Sequence, residues 1–596
     1  MKKNHVIPDP IRNLYKKPGS RVKHGMTAIF VILFIVCCFI FPVVSRANDF
    51  ETTAETFYYL DNPPTTKTVH KITIKNTNPT VYLTSYSLIF SEAEIDNVNC
   101  LSNSTSVPCV RYTENERTHI KVDFNDIVAG KNAVRHLEIS YQNLSLAKME
   151  GNTTDIFLPS QAKDDNSQNT IYLNVNKKLG ALIYFSQKAD SVSENGNYQI
   201  FRFRGDNLPK GVWASFGNTQ YYNFSLGYRL SGNPRSLALP PDTAYQKIYL
   251  ESILPAPKSV AVDADGNWIA TFERNVTQVK VVGQIQVFPK PRLGFSPVSP
   301  QKEPSPATNR YWSITNPKLL DIAKNLKTPQ DINRYVVDLL SYDKNKINQD
   351  QILRLGANVA FLSPASAVCS EYTDLFVALA KLHNLPVAEV NGYAVNNDLD
   401  LEPTLLGKNI LHAWPQYWDG ATWKQVDPTW EDTGGRDYFK SFDLKHVTFV
   451  IHRTDPVYPY PPDTYQVVFG KPFGDTPAEI KTKTGVGWSI FPLGLNLEID
   501  LTNRGRTSLE NESVKVSFSE TEKNIVFLPP YGTYKTSFYV SPKAMINLTQ
   551  KNPTVNVAGV KHDIIGIKTQ VIYIFLITFF APIIVILGLL LFLRHK

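Results

Sequence analysis

Short runs in which apolar and polar residues alternate recur through much of the sequence. This period of two residues places alternate side chains on opposite faces of an extended chain, as in antiparallel sandwiches. Aromatic residues at 12% and 40 prolines also favour strands and turns over long helices. We therefore predict β-sandwich-like domains at 48–165, 166–290 and 463–562. Typical runs are KITIKNT (71–77), HIKVDF (119–124), TIYLNV (170–175) and VKVVGQIQVF (279–288).

The pattern changes after a proline-rich stretch. Prolines are frequent between 289 and 306, and closely spaced prolines stiffen and extend a chain, so we assign 291–309 as a linker. Beyond it, Thr328-Pro329 is typical of a helix start, and apolar residues follow at the spacing of one helix face. The sequence therefore predicts a domain of mixed helices and strands at 310–455.

Two uncharged apolar runs lie near the ends of the chain. The first, within a basic segment at 1–47, has the pattern of a signal peptide, while its length leaves an uncleaved signal anchor open. The second, at 571–593, is long enough for a transmembrane helix, and a basic tail follows it. These runs predict a membrane protein whose C-terminus is cytoplasmic and whose bulk is extracytoplasmic.

The net charge of the chain does not indicate a nucleic-acid partner. The formal charge is +8, but the basic residues of the two tails account for it, and the long middle region is neutral. Proteins that bind nucleic acid carry a basic patch or stripe. We therefore predict no nucleic-acid binding.

Three cysteines lie outside the first apolar run. Cys100 and Cys109 are close in a Ser- and Asn-rich segment, and they either form a small disulfide in an oxidising compartment or remain free thiols. Cys369 has no partner, so it is either a buried apolar residue or a reactive thiol. The apolar residues that follow Cys369 have helical spacing, which places it at a helix N-terminus, where a thiolate is stabilised.

A second segment offers a base for this thiol. Asp419-Gly420 predicts a two-residue hairpin turn, and that register sets His412 opposite Asp427 on one face, with Cβ atoms about 5 Å apart. A carboxylate there would hold the imidazole in one tautomer. Trp414 and Trp418 share the face of His412 and are candidates for the wall of a substrate cleft.

The sequence motifs around Cys369, His412 and Asp427 together resemble those of the transglutaminase-like superfamily. The resemblance rests on Cys369-Ser-Glu-Tyr, His412-Ala-Trp and Trp-x-x-Val-Asp427-Pro-Thr, and it covers about 310–455. It implies a papain-like core and a Cys369–His412–Asp427 catalytic triad that attacks an amide carbonyl and passes a thioester to an amine or to water. Two departures are Ala367, where the family often has Gly, and a missing Arg after Leu385-Pro386.

The sequence thus predicts an α+β protein with a papain-like transglutaminase core, flanking β-sandwich domains and a C-terminal transmembrane helix. We expect a membrane-anchored thiol enzyme that acts on protein or peptide amides as a glutamine acyltransferase or as a peptidase or amidase. One alternative is a non-catalytic adhesion or assembly protein with the core as scaffold. Another is a single-turnover anchor linked covalently through Cys369.

No cofactor is predicted, and the oligomeric state stays open. His446 and His452 are not accompanied by cysteines or carboxylates at metal-ligand spacing, so no metal site is predicted. Asn358 is a candidate oxyanion donor because it is an amide upstream of Cys369.

Overall fold

The chain divides into two compact units between Asn218 and Thr219. The predicted leader at 1–47 lies outside the described residues, as does nearly all of the predicted linker at 291–309. The computed structural model describes residues 49–91, 94–159, 167–204, 211–292, 295, 309–346, 349, 352–395, 411–474, 478–489, 494–541, 544, 553–563 and 567–594.

The predicted α+β class is wrong, because strands dominate the structure. Strands make up 51% and helices 15%, well below the roughly 30–35% helix of ordinary globular domains. The strands form many small sheets, and apart from the C-terminal helix the α-helices fall between residues 317 and 434. The helices of the predicted papain-like core are therefore confined to one segment of a mostly β chain.

The transmembrane prediction at 571–593 also needs correction. A helix, Ile567–Arg594, occupies this region. Among the described residues, no helix is both long enough and apolar enough to cross a membrane.

The first unit is built on one large sheet. Its strand order is β13-β14-β11-β1-β2-β8-β4-β5, and two smaller sheets, β12-β15-β10-β9 and β3-β7-β6, accompany it. The strands are β1 Phe50–Asn62, β2 Thr65–Asn76, β3 Ser85–Ser91, β4 Ile95–Ser102, β5 Thr105–Ser106, β6 Cys109–Glu114, β7 Arg117–Asp123, β8 Val134–Asn143, β9 Ala147–Glu150, β10 Thr153–Leu158, β11 Ser167–Asn176, β12 Leu182–Phe185, β13 Ser191–Asn195, β14 Tyr198–Arg204 and β15 Val212–Phe216, with a 3₁₀ turn at Lys177–Leu179.

Strand pairing places the predicted boundary at 165/166 inside this unit. β11 pairs in parallel with β1, from Thr52 opposite Ser167 to Leu60 opposite Val175, so the boundary cuts through one sheet. Sequence patterns mark strands but not their non-local partners. In the same unit, Cys100 of β4 and Cys109 of β6 are joined by a disulfide.

Within its described residues, the second unit contains five sheets. Their orders are β18-β21-β16-β26, β17-β20-β19, β24-β23-β22-β25, β27-β28-β31 and β30-β29-β32-β33. The strands are β16 Gln220–Arg229, β17 Arg235–Leu239, β18 Gln246–Leu254, β19 Ser259–Val262, β20 Trp268–Phe272, β21 Gln278–Val287, β22 Val387–Ala394, β23 Leu411–Trp418, β24 Trp423–Gln425, β25 His446–His452, β26 Thr464–Phe469, β27 Ile480–Ser489, β28 Gly494–Asn503, β29 Leu509–Val516, β30 Glu522–Leu528, β31 Thr533–Val540, β32 Thr554–Val557 and β33 Val560–Asp563.

Among the helices of this unit, the one that begins at Cys369 packs against β22 and β23 of the sheet β24-β23-β22-β25. Thr328 caps the second helix by accepting a hydrogen bond from the Asp331 amide, and Pro329 is its first residue, which confirms the predicted start. The helices are α1 Pro317–Ala323, α2 Pro329–Leu339, α3 Ala357–Leu362, α4 Cys369–Leu382, α5 Pro428–Gly434 and α6 Ile567–Arg594, with a 3₁₀ turn at Pro364–Ser366.

Helix α4 is the centre of this core. Its residues from Glu371 to Lys381 are all buried, so the helix is enclosed on every side and not only along one apolar stripe. Leu375, Phe376 and Leu379 pack in one cluster with side chains of α2, α3 and β22. This enclosure fixes the position of the helix N-terminus, where Cys369 lies.

Gly392, in the middle of β22, gives a test of this packing. A Cβ atom there would overlap the Val447 carbonyl oxygen and approach the Trp414 ring to 2.7 Å. We expect Gly392→Ala to cost about 1–3 kcal/mol through overpacking. Calorimetry should show a lower melting temperature. Gly487→Ala is the matched control, since a Cβ at this strand glycine meets no atom within 4 Å, and equal melting temperatures for the two variants would contradict the prediction.

Candidate active site

Cys369 is the first residue of α4, as the sequence predicts. Its thiol is free and partly exposed. The Glu371 carboxylate accepts a hydrogen bond of 2.9 Å from the Val368 amide and pairs with Lys346 at 2.8 Å, so the turn before the cysteine is fixed by buried polar contacts. Unpaired amides and the helix dipole at this position favour a thiolate.

A neighbouring segment is hydrogen-bonded to the residues that precede Cys369. The Ser341 amide donates to the Pro364 carbonyl at 2.9 Å, and the Asp343 amide donates to the Ala367 carbonyl at 2.8 Å. Tyr342 lies between them, and its phenol interacts electrostatically with Cys369 and Asp427; burial, followed by these charges, raises the pKa of the phenol. Sequence analysis missed Tyr342, because its interaction with the thiol depends on this non-local bridge.

His412 and Asp427 form a short buried contact. His412 Nε2 lies 2.7 Å from Asp427 Oδ2, and both side chains are almost wholly inaccessible. Asp427 is also the N-cap of α5, where its Oδ1 accepts hydrogen bonds from the amides of Thr429 and Trp430. The carboxylate is therefore fixed by the helix start as well as by the imidazole.

This environment keeps both groups charged. Burial lowers the pKa of His412, but the charge and hydrogen bond of Asp427 and a hydrogen bond with Cys369 outweigh it and raise the pKa to about 10. Burial raises the pKa of Asp427, but the two histidines that contact it, His412 and His446, hold it well below its usual value. Since Nε2 of His412 faces Asp427, Nδ1 is left for the sulfur, and an imidazolium there stabilises a thiolate.

The hairpin reaches this contact by a register that differs from the prediction. Trp418 pairs with Trp423 and Gln416 with Gln425, so the loop has four residues and not two. Asp419 Oδ1 accepts hydrogen bonds from the amides of Ala421 and Thr422, and this local turn replaces the predicted one. The register shifts by two residues, so His412 keeps its face, and Asp427 meets it from the start of α5.

The two tryptophans predicted to line a cleft have other positions. Trp414 is fully buried, with its ring 5.8 Å from the His412 ring, so it is a core residue beneath the imidazole. Trp418 is half-buried and packs against Trp423 at a ring distance of 5.7 Å. Strand alternation predicts a shared face but not whether another layer covers that face.

Sequence analysis also missed a second histidine at the site. His446 Nε2 lies 3.0 Å from Asp427 Oδ2, and its Nδ1 lies 2.7 Å from Asp443 Oδ1. All three side chains are buried. His446 opens a strand whose residues are all buried, and a buried polar group in such a strand needs a partner.

The predicted oxyanion donor, Asn358, uses its side-chain amide in hydrogen bonds with other parts of the protein. Its amide oxygen accepts hydrogen bonds from the amides of Thr315 and Asn316, and its amide nitrogen donates to the Ser313 carbonyl. Asn358 therefore ties the start of α1 to α3 and is not available to a substrate.

The sequence comparison agrees with this geometry. The profile of the transglutaminase-like superfamily matches residues 317–428, which include Cys369, His412 and Asp427. This segment is a transglutaminase-like domain. Comparison with curated proteins gives no match.

Solved structures give only distant likenesses. A protein of Cytophaga hutchinsonii, named as a candidate cysteine protease, aligns with 44% of this chain and 92% of its own at 15% identity and a TM-score of 0.29. An M1 zinc metallopeptidase from Deinococcus radiodurans aligns with 29% of this chain and 43% of its own, at 10% identity and a TM-score of 0.21. This chain therefore spans less than half of that protein. A candidate protease from Parabacteroides distasonis aligns with 64% of this chain and 67% of its own, at 10% identity and a TM-score of 0.19. Scores this low carry no conclusion about function.

The transglutaminase-like domain also contains a group with metal-ligand chemistry. Ligand-type atoms of His412, Asp427 and His446 lie within 4.8 Å of one another. In this structure, however, the facing atoms are occupied by the two His–Asp hydrogen bonds, and His446 uses its second nitrogen on Asp443. We therefore describe His412, Asp427, His446 and Asp443 as a hydrogen-bonded relay.

A cavity of about 280 Å³ lies elsewhere on the same hairpin. Gln416, Trp423 and Gln425 line it, together with Trp268, Phe527 and neighbouring residues. Cys369, His412 and Asp427 are not among the lining residues, so this cavity is separate from the thiol.

The His412–Asp427 pair predicts a pH dependence of stability. Because His412 has a folded pKa of about 10, its contribution is full below its ordinary value of about 6.5 and is lost as the pH rises through 10. Asp427, whose pKa is lowered, contributes above about pH 3.9 and loses its contribution in stronger acid. We expect the melting temperature to fall between pH 6.5 and 10 less steeply in His412→Gln than in the wild type. His383→Gln, which removes only a contact with the Ala323 carbonyl, should follow the wild type, and parallel curves for all three proteins would count against the prediction.

Proposed function

We propose that the chain is a cysteine-dependent enzyme that cleaves amide bonds in a protein or peptide through Cys369, His412 and Asp427. The observation that carries the proposal is the arrangement of a free, partly exposed thiol at a helix N-terminus beside a histidine that is itself bonded to a buried carboxylate. The transglutaminase-like match over 317–428 supports it. A scaffold without catalysis does not require this arrangement.

The first half of the reaction forms a thioester. The Cys369 thiolate attacks the carbonyl carbon of the amide, and the carbonyl electron pair moves to oxygen. As the carbon–nitrogen bond breaks, protonated His412 gives its proton to the departing nitrogen and becomes neutral. Asp427 keeps the imidazole in the orientation that this transfer needs.

The second half resolves the thioester. Water or an amine loses a proton to His412 while it attacks the thioester carbon, the carbon–sulfur bond breaks and the thiolate is restored. Water gives an acid and an amine gives a new amide. Hydrolysis and transfer share every residue named here, and the acceptor that reaches the thioester decides between them.

The negative oxygen of the intermediate needs hydrogen-bond donors. The Cys369 amide, at the first position of α4, has no intrahelical partner and is one such donor. We assign the Tyr342 hydroxyl as the second, because the Ala367 bridge sets Tyr342 beside the approach to Cys369 and its phenol interacts with that thiol.

Thiol reactivity tests the triad before any substrate is known. We expect iodoacetamide to modify Cys369 of the full chain well below pH 8, and His412→Ala to slow this labelling, because an imidazolium stabilises the thiolate. Mass spectrometry of the labelled peptide measures the rate at each pH. Labelling that begins only near pH 8.5, as for a free thiol, and that ignores His412→Ala would refute the proposed function.

Turnover then separates transfer from hydrolysis. Casein serves as the amide probe with a fluorescent primary amine as acceptor. Fluorescence in the protein band reports transfer, and label incorporated from oxygen-labelled water into a new carboxylate reports hydrolysis, because the departing nitrogen leaves in both reactions. Cys369→Ala should abolish each signal.

Tyr342→Phe tests the second oxyanion donor. Loss of one such donor typically lowers kcat by about 10²–10³, whereas alkylation of Cys369 passes through no oxyanion and should keep its rate. Tyr335→Phe, at a half-buried tyrosine of α2, is the matched control. Equal losses of turnover and alkylation in Tyr342→Phe would mean that the hydroxyl orders the thiol instead.

A further inference from the structure

Behind the His412–Asp427 pair, the hydrogen bonds continue to a second carboxylate. Asp443 Oδ1 contacts His446 Nδ1 at 2.7 Å, and His446 Nε2 contacts Asp427 Oδ2 at 3.0 Å, the same oxygen that His412 contacts. Each nitrogen of His446 therefore faces a carboxylate oxygen. Neither carboxylate can donate when ionised, so both His446 nitrogens must carry protons, and the ring is an imidazolium.

The rings around His446 suit a positive charge. The centroids of Trp414, Trp430 and Phe442 lie 4.6–4.8 Å from that of His446. Aromatic faces attract cations most strongly where water is excluded. Burial lowers the pKa of His446, but the charges and hydrogen bonds of Asp443 and Asp427 raise it overall.

Asp443 is in turn fixed by its own partners. The Tyr438 hydroxyl donates to Oδ2 at 2.9 Å, and the Lys445 amide donates to Oδ1 at 2.9 Å. Arg436 adds a favourable charge, and together with His446 it keeps the pKa of Asp443 low despite burial. The titratable and charged groups facing this part of the relay are therefore Asp427, His412, Tyr438 and Arg436.

The sheet explains how two histidines from different strands share one carboxylate. His412 on β23 is opposite Gly392 of β22, and His446 on β25 is opposite Ala394 of the same strand. The middle strand thus carries a hydrogen and a methyl group where larger side chains would stand. Trp414 packs over Gly392, and the His412 and His446 rings lie 5.6 Å apart.

We propose that His446, held by Asp443, is a positioning residue of the Cys369 site: it fixes the Asp427 carboxylate so that Oδ2 stays directed at His412. The proposal rests on the proposed function. Without His446, Asp427 would keep its helix-cap bonds on Oδ1, but Oδ2 would lose its second anchor and His412 would be held less firmly beside the thiol. Substrate does not touch His446, which acts through Asp427.

The test measures the rate of Cys369 alkylation against pH in the full chain. His446→Phe keeps a ring in the aromatic surroundings but removes both hydrogen bonds. We expect its rate near pH 6 to fall about tenfold, equivalent to a shift of about one pH unit in the acid limb, with the rate near pH 9 retained. His446→Gln keeps an N–H donor for Asp427 and should recover most of the loss.

His452→Phe is the matched control. His452 is a buried histidine at the other end of the same strand, and its ring contacts the Pro459 carbonyl and Asn391 instead of the relay. Its pH profile should match that of the wild type. Should His446→Phe fail to fold, Asp443→Asn, which keeps the shape of the side chain but removes its charge, should move the acid limb in the same direction.

The positioning role of His446 and the proposed function are contradicted by different results. A folded His446→Phe or Asp443→Asn protein with the wild-type pH profile would overturn the positioning role, even if its melting temperature is lower, because a merely structural residue changes stability alone. A wild-type protein that alkylates only as an ordinary thiol would overturn the proposed function itself.

Discussion

The contact between His412 and Asp427 is the constraint around which the transglutaminase-like domain is organised. Removing two charges from water costs several kcal/mol for each ion, and attraction between them compensates only when the remaining lone pairs and protons are satisfied. Here the compensation comes from several elements. The start of α5 binds one carboxylate oxygen, and β25 supplies His446 to the other. The pair is stable only because helix and sheet are both in place.

How much of this was available from the sequence depends on the range of each interaction. Helix α4 begins at Cys369 as its spacing predicts, because helix caps and periodicity are local. The hairpin register differs by two residues from the predicted one, and the contact forms because an even shift preserves the face and Asp427 caps the start of α5. The four-residue loop depends on two hydrogen bonds to Asp419, and Asp-Gly is equally compatible with the shorter turn.

Features that depend on sheet order could not be predicted in this way. His446 reaches Asp427 because β25 lies on the far side of β22 from β23, and strand order is not encoded in the period of any single strand. The burial of Trp414 has the same origin, since a layer of side chains from distant segments covers its face. The α+β prediction is wrong because the helical motifs are confined to one segment, while strands make up 51% of the structure.

The relay has a direction, and that direction has a chemical consequence. From Asp443 through His446, Asp427 and His412 the charges alternate, and each of these side chains is buried, whereas Cys369 at the end is partly exposed. Water has little access to the charges behind the thiol and cannot screen them, so their field acts on the sulfur in a low dielectric. In the proposed reaction, a substrate carbonyl meets a nucleophile whose supporting charges are preorganised, and it need not reorient them as charge develops. Burial of the relay and exposure of the thiol are thus two parts of one electrostatic arrangement.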